Sequence, residues 1–500
     1  MKLLSRSELL VAVILLLLPC ACAQQQALTI LHTNDMHASF LPHQAYWVNQ
    51  TPKPMVGGFA ELFFVSDSIK RSGGNVLMLD AGDVMTGNPI TERRYGGARG
   101  GSLFEMMNMI GYDAWSPGNH DFDVSQENLK VLTEIAAFPT LCANLVNDGG
   151  AYPVNNRPYA IFQRGGLKVA VIGVISQYLY NLVIQKNLTG LRVQSPSETL
   201  QKWVTELRPK ADLIIALTHQ GVDEDSVLAT EVKGLDIIVG GHSHTRLREA
   251  KVVDGVLIVQ AGSNAENLGV LTLWVDGGRV VRHEGGLLPL WVQSGRPHNR
   301  LTALIDSMKS EIDKEYDEVI GTLKVNWIRR DSAMGVGTFV TEAQREAVHA
   351  DVAFMNMDGM RKDLTPGPIT KKDLFELLPF QNTLTTFQLS GAQIRSALEH
   401  SLRQRTRILI TGVAADWRPT PDGGVTLLAV SIGGKPLDSD RMYICTASDY
   451  FVGEAERYLG FDLPQRIYLE QTLYQSVERA IREAGVISSN KPYMIRRVSR

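Results

Sequence analysis

Short apolar runs that stop abruptly at polar residues constrain this chain more than any other feature of it. Leu28-Thr29-Ile30-Leu31 runs into Thr33-Asn34-Asp35-Met36-His37, and Val76-Leu77-Met78-Leu79 into Asp80-Ala81-Gly82-Asp83. The stretch from Tyr112 to Ser116 leads to Pro117-Gly118-Asn119-His120-Asp121. Leu213-Ile214-Ile215-Ala216-Leu217 leads to Thr218-His219, and Ile237-Ile238-Val239 to Gly240-Gly241-His242-Ser243-His244. Apolar runs of this length read as strands buried on both faces. Helical patterns at Gly58 to Lys70 and Glu198 to Leu207 fall between several of them, and strands alternating with helices imply an α/β layered core. In such cores the ligand crevice lies beyond the carboxyl ends of the strands, where each of these polar clusters stands.

At 500 residues the chain far exceeds the ~150 residues of a typical domain, so more than one core is expected. Residues 1–23 are a separate object. Lys2 and Arg6 precede an uninterrupted apolar run from Leu9 to Leu18, then Pro19, with Ala21 and Ala23 as the small residues of a cleavage site. This reads as a secretory signal peptide. The run is too short for the ~20 apolar residues of a membrane-spanning helix, so an exported chain without a membrane span is expected, periplasmic, cell-surface or extracellular. The alternative is a lipid-anchored start at Cys20 or Cys22, although Pro19 stands where a lipobox prefers other residues. The strand-and-helix alternation occupies residues 24–298. From 299 to 325 an apolar stripe of Leu301, Leu304, Ile305, Met308 and Ile312 on a helical period reads as a linking helix. Residues 326–500 mix helices (Met334 to Ala350, Ser390 to Gln404) with Gly-punctuated strands (Gly423 to Ile432), enough for a second α/β domain.

The charge balance, 50 basic against 53 acidic residues for a net charge of −3, gives no electrostatic footprint of a nucleic-acid binder. Beyond the signal segment only Cys142 and Cys445 remain of four cysteines. Each follows apolar residues, so both read as buried small hydrophobes rather than parts of a disulfide framework.

An isolated DxH or GHxH is more often a turn or a cap than a metal site. Here five of the eleven histidines, with two aspartates and one asparagine, fall together at strand ends of one domain. These are N and O donors suited to Mn, Zn or Fe, and the lack of cysteine among them disfavours a structural zinc knot.

In this order the motifs resemble the calcineurin-like metallophosphatases, specifically the secreted 5'-nucleotidase and UDP-sugar hydrolase branch. The series DxH, GD, GNH(E/D), H and GHxH stands here as Asp35-His37, Gly82-Asp83, Gly118-Asn119-His120-Asp121, His219 and Gly241-His242-Ser243-His244. The resemblance covers nearly all of the chain beyond the signal peptide. It implies a sandwich of two sheets flanked by helices, joined by the linking helix to a C-terminal domain of the 5'-nucleotidase type. It also implies two divalent ions (Mn, Zn, Fe, Co or Mg), one held by Asp35, His37 and His244, the other by Asn119, His219 and His242, with Asp83 bridging. A carboxylate bridge keeps such ions ~3.5–4 Å apart, a spacing that clamps the attacking and leaving oxygens of phosphoryl transfer. The reaction implied is in-line attack on phosphorus by a metal-bound hydroxide. His120 is similar to the family's catalytic histidine, which stabilises or protonates the leaving oxygen, and Asp123 to the carboxylate that orients it. The alternative for Asp123 is a helix N-cap before Ser125 to Leu132.

The second domain resembles the family unevenly. Arg330-Asp331-Ser332-Ala333-Met334-Gly335 is similar to the segment that supplies a substrate arginine, Asn356-Met357-Asp358-Gly359-Met360-Arg361 stands where the family has NGGGIR, and Leu378-Pro379-Phe380-Gln381-Asn382 looks like its LPFGN. By resemblance Arg330 and Arg361 grip phosphate, Asn356 contacts the base and Phe380 stacks on it. Two departures stand out: Met357-Asp358 puts side chains where bare backbone normally meets the nucleotide, and the family's carboxyl-terminal GGD is absent from Ser448 to Ala455. Tyr450 or Phe451 remains as the source of a second ring. The expectation is a two-metal phosphohydrolase acting on a small phosphate ester, most naturally a nucleoside 5'-monophosphate. A 2',3'-cyclic nucleotide phosphodiesterase or nucleotide-sugar pyrophosphatase would use the same site. A metal-scaffold binding protein without turnover is the reading from another class, and the presence of His120 and Asp123 argues against it.

Overall fold

The structure, a computed structural model, describes residues 25–45, 47–329, 334–404, 408–463 and 465–498. The expected signal peptide, with Cys20 and Cys22, and the segment Arg330-Asp331-Ser332-Ala333 lie outside the described residues.

The first domain is a sandwich of two sheets. Its strands are β1 (Gln26–Thr33), β2 (Val76–Asp80), β3 (Ala114–Trp115), β4 (Tyr159–Arg164), β5 (Leu167–Ile175) and β6 (Leu213–His219), then β7 (Ile237–Gly240), β8 (Lys251–Val253), β9 (Val256–Val259), β10 (Asn267–Asp276) and β11 (Arg279–Pro289). One sheet has the order β11-β10-β1-β2-β3, the other β8-β9-β7-β6-β5-β4. The strands β1, β2 and β3 run parallel, as do β5, β6, β7 and β9, so their carboxyl ends gather at common edges.

Alternation along the strands makes the layers. On β6, Leu213, Ile215 and Leu217 enter the core between the sheets, while Ile214 and Ala216 face Leu200, Val204 and Leu207 of the helix Pro196–Leu207. On β1, Leu28 and Ile30 join the inter-sheet core, while Leu31 packs with Phe59, Leu62 and Phe104 of the helices Phe59–Arg71 and Gly101–Ile110. Both faces of each sheet are therefore apolar, as runs without alternation in their composition require. The two-sheet sandwich with flanking helices implied by the motifs is the fold the chain adopts.

The helix expected over 299–325 is shorter. It runs Arg300–Tyr316 behind a capping box of Asn299 and Thr302. Its stripe of Leu301, Ile305, Met308 and Ile312 is buried in the core of the first domain rather than lying free between domains. The β-branched Val319 and Ile320 then begin a strand, Val319–Leu323, because extended backbone suits them and a partner is at hand.

That strand, β12 (Val319–Leu323), opens the second domain, followed by β13 (Val352–Asn356), β14 (Gly367–Thr370), β15 (Thr383–Ser390), β16 (Ile408–Thr411), β17 (Met442–Ser448), β18 (Ile467–Thr472) and β19 (Val486–Ile487). The main sheet has the order β16-β13-β17-β15-β18, and a smaller one β14-β12-β19. The main sheet is again covered on both faces. Val352 and Phe354 face the helix Gly391–Gln404, and Met355 faces the helices Gly335–Ala347 and Leu473–Ala484. Cys142 and Cys445 are buried free thiols. Among the described residues no helix is long and apolar enough to cross a membrane.

Candidate functional site

Loops that follow β1, β2, β3, β6 and β7 converge at the carboxyl edges of the sandwich. Backbone bonds lock the first two together: Asp35 N donates to Gly82 O at 2.8 Å and His37 N to Asp83 O at 2.9 Å. Gly118 passes so close that a Cβ there would fall 2.2 Å from Asp83 Oδ1 and 2.7 Å from the His219 ring, so only glycine fits. Asp35, His37, Asp83, His242 and His244 all hold φ between 47° and 78°. Residues with side chains adopt this left-handed region at a cost of about 1–3 kcal/mol each, and such strain collects at functional loops.

Two donor groups result. Asp35, His37 and His244 form one, and Asp83, His219 and His242 the other, with the ligand atoms of each group within 4.8 Å of one another. Asp35 Oδ1 lies 3.3 Å from His244 Nε2 and 3.9 Å from both His37 Nε2 and His219 Nε2, which places it between the groups. Asp83 Oδ2 lies 3.2 Å from His219 Nε2, and its Oδ1 accepts from His120 N at 2.8 Å.

The chemistry of this donor set fits divalent cations. Asp35 Oδ1, Asn119 Oδ1 and His219 Nε2 are buried with no hydrogen-bond partner among the described residues. Buried polar atoms are ordinarily satisfied, so lone pairs converging without donors mark a place for positive charge. Tautomers agree with this. The Nδ1–H of His37 donates to Thr86 O at 3.1 Å and that of His219 to Ala81 O at 2.6 Å, which turns each Nε2 toward the cluster. Burial works against charge on His219, but the Asp83 and Asp35 carboxylates outweigh it and raise its pKa to about 10, so a cation there takes the place of a proton. Burial, together with the nearby Arg361 charge, holds His37 well below the ordinary histidine range, and burial with His219 beside it lowers His242 to about 4. Both are neutral donors near pH 7.

His120 stands beside these groups, its ring centroid 5.3 Å from that of His37. Its Nδ1 is 2.8 Å from Asp123 Oδ2, and Thr86 Oγ1 donates to the same carboxylate oxygen at 2.7 Å. Burial works against charge on His120, but the carboxylates of Asp123 and Asp83 outweigh it and raise its pKa. Asp123 does not cap the following helix: Gln126–Ile135 is capped by Ser125.

A cavity of about 500 Å³ runs from this corner into the second domain. Asn119, His120, Asp123 and His242 line one wall, and Asn356, Arg361, Phe380 and Tyr450 another. Arg361 Nη2 reaches to 3.2 Å from His37 Nε2. Phe380 lies 5.4 Å from the His120 ring. Of the two aromatic candidates, Phe451 is wholly buried and stacked on Tyr458 at 4.7 Å, whereas Tyr450 faces the cavity and its hydroxyl donates to Asn181 O at 3.0 Å. Asp358 also lines the cavity, from the short turn Met357–Gly359. Arg330 lies outside the described residues.

Several residues outside the expected ligand and substrate sets hold the site together. Asp121 accepts from the backbone N–H groups of Asp83, Val84, Met85 and Gly118, at 2.8 to 3.1 Å, tying two ligand loops to one carboxylate. Asn34 Nδ2 donates to Asp35 Oδ2 at 2.6 Å and to Gly262 O at 2.7 Å. Gln260 donates to Gly241 O at 2.9 Å and accepts from Ser243 Oγ at 3.0 Å, which steadies the GHSH loop. The one sequence signal was position: Asp121 ends the GNHD run, and Asn34 precedes the DxH.

Comparison with known proteins identifies both halves of the chain. Residues 28–246 match the calcineurin-like phosphoesterase family and residues 319–462 the 5'-nucleotidase C-terminal domain. The chain is 30% identical to an apyrase of Tabanus yao over 77% of this chain and 75% of that protein. It is 31% identical to a 5'-nucleotidase of Homo sapiens over 80% of this chain and 75% of that protein. The crystal structure of a 5'-nucleotidase precursor from Thermus thermophilus superposes with a TM-score of 0.82 at 25% identity, over 95% of this chain and 100% of that one.

Proposed function

Because this chain belongs to the 5'-nucleotidase family of calcineurin-like phosphoesterases and is a metal-dependent phosphoester hydrolase, we propose that its substrates are nucleoside 5'-monophosphates. The observation that carries this reading is the cavity that joins the two donor groups and His120 to Phe380, Tyr450 and Asn356 of the second domain. A phosphate at the cluster leaves its organic part among those side chains.

In this reading Asp35, His37 and His244 would hold one divalent ion and Asn119, His219 and His242 the other, with Asp83, 3.2 Å from His219 Nε2, the bridging carboxylate by its motif. Bound there, the two cations supply an activated water and the positive charge that phosphoryl transfer demands. Manganese, zinc, iron, cobalt and magnesium all suit these N and O donors. Arg361, and by its motif Arg330, neutralises phosphate oxygens. His120, its Nδ1 engaged by Asp123, presents Nε2 as the proton donor to the leaving oxygen. Phe380 and Tyr450 offer rings to the base, and Asn356 a hydrogen bond. The division we propose is a signal peptide at 1–23 and a catalytic domain over 24–298, then a connecting segment to 325 and a substrate-binding domain over 326–500. The strand Val319–Leu323 belongs with the last of these. Export follows from the signal segment.

The test is a panel of nucleoside mono- and diphosphates, cyclic nucleotides, nucleotide sugars and simple phosphate esters, assayed with added Mn, Zn, Mg and Co. The highest kcat/KM is expected on a nucleoside monophosphate. Equal or better turnover of a simple sugar phosphate, a cyclic nucleotide or a nucleotide sugar would overturn the assignment.

A further inference from the structure

The two domains meet in a run of contacts around His37. Its Nδ1–H donates to Thr86 O, and two residues along the chain Asn88 leaves the first domain. The Asn88 amide is buried, and its Nδ2 donates to Glu376 Oε1 of the second domain at 2.8 Å. Glu376 Oε2 accepts from Lys362 Nζ at 2.6 Å, and Lys362 also donates to Asp373 Oδ1 at 2.8 Å. Lys362 directly follows Arg361, whose backbone N donates to Leu377 O at 2.8 Å, one residue beyond Glu376. Arg361 Nη2 comes back to within 3.2 Å of His37 Nε2, which carries the guanidinium to the edge of the donor cluster. Thr86 lies on the same path and also donates to Asp123.

We propose that Asn88 and Glu376 are positioning residues for hydrolysis: they clasp the second domain to the Thr86 loop and so hold the Arg361 guanidinium in register over the metal-ligand cluster. The inference rests on the phosphate-gripping role given to Arg361 above. Lys362 with Asp373, and Asp373 with its capping partner Thr370, are satisfied inside the second domain alone. The Asn88 to Glu376 bond adds to neither domain's own fold and joins the two. Asn88 is buried and Glu376 partly so, and the bond is charge-assisted, which makes it costly to leave half-made. Displacing a group that touches substrate by about 1 Å is enough to lower rate ~100-fold.

Asn88 has a second duty, which makes a discriminating variant available. Its Oδ1 accepts from Ile90 N at 3.2 Å and caps the turn Pro89–Glu92. Asn88→Asp keeps that acceptor, removes the donor and faces Glu376 with like charge. Glu376→Gln then restores a donor opposite Asp at position 88, with the polarity of the bond reversed, while Lys362 retains Asp373.

The experiment uses the full-length metal-loaded protein and measures kcat/KM on the best phosphoester of the panel, the inhibition constant of inorganic phosphate, bound metal and melting temperature. Asn88→Asp is expected to lower kcat/KM roughly 10- to 100-fold and to weaken phosphate inhibition, with bound metal unchanged. The double variant Asn88→Asp with Glu376→Gln is expected to recover most of the loss. In an Arg361→Ala background Asn88→Asp is expected to have no further effect. If Asn88→Asp yields no folded protein, Glu376→Ala takes its place in the same comparison. Full activity in the clasp variant, failure of the double variant to recover, or an equal loss with and without Arg361 would each overturn the proposal. An inactive parent enzyme across the panel would instead overturn the functional reading beneath it.

Discussion

The His120 ring of the first domain lies 5.4 Å from the Phe380 ring of the second, the two planes inclined at 32°. The proposed proton donor and the proposed base-stacking ring are therefore immediate neighbours across the cleft, although 260 positions separate them in the sequence. His120→Ala is expected to leave bound metal unchanged and to lower kcat by roughly 10²–10⁴-fold, the range for losing a general acid. The loss should shrink on nitrophenyl phosphate, whose leaving group needs little protonation. Metal analysis beside kinetics on both esters checks this. Loss of metal would make His120 a ligand, and an equal loss on both esters would remove it from the leaving group.

The unpartnered Asp35, Asn119 and His219 atoms point to a second outcome. Chelation is expected to abolish hydrolysis, and restoring a divalent ion to recover it. The metal-loaded protein should also melt at a higher temperature than the stripped one, because an ion that binds only the folded chain stabilises it by mass action. Full activity in a verified metal-free sample would sink the two-ion site.

Stacking supplies the third. Phe380 and Tyr450 both line the cavity, and a ring on a base contributes about 1–3 kcal/mol. Phe380→Ala or Tyr450→Ala should each lower kcat/KM for a nucleoside monophosphate by roughly 5- to 150-fold while changing a simple sugar phosphate by less than about threefold. A uniform loss on both substrates would place the ring in general packing instead.

His32 gives a pH-dependent stability. It is buried opposite Gly269, where an added Cβ would fall 2.1 Å from its Nε2, and burial lowers its pKa from 6.5 to about 4. The unfolded chain takes up a proton near pH 6.5 that the folded chain refuses until about pH 4. Stability from this group is thus complete above pH 6.5 and lost as pH falls toward 4, amounting to about 3 kcal/mol at the bottom of that window. Urea unfolding at pH 7 and pH 4.5 should show a smaller acid loss for His32→Gln than for the parent. Identical losses would show that His32 titrates alike in both states.

Sequence made the two donor groups legible because each residue sits where an apolar run ends, and strand-end position is a local property. Arg361 and Phe380 were readable through short motifs for the same reason. Tyr450 and Phe451 were not separable, since the short helix Asp449–Gly453 turns one ring inward and one outward, and which is which depends on packing against Phe354 and Tyr458. The linking helix was read too long because the apolar spacing of Val319, Ile320 and Leu323 suits a helix as well as a strand. Pairing with Gly367–Thr370 on one side and Val486–Ile487 on the other decides it. Gln260 and the Asn88 to Glu376 bond act on partners up to 288 positions away, and no local pattern records them.

The short connection between domains has a mechanical consequence. The helix Arg300–Tyr316 is fastened into the first core, and Glu318 is fastened to the second domain by Lys371 at 2.6 Å and Arg482 at 2.8 Å. Asp317, whose N–H still bonds to Asp313 O at 3.2 Å as the cap of that helix, is the single residue between the two fastenings. With so little chain to span it, the setting of the two halves is governed by the backbone at this one point and by the side chains that meet across the seam, Tyr316 on Phe375 and Tyr450 on Asn181 among them.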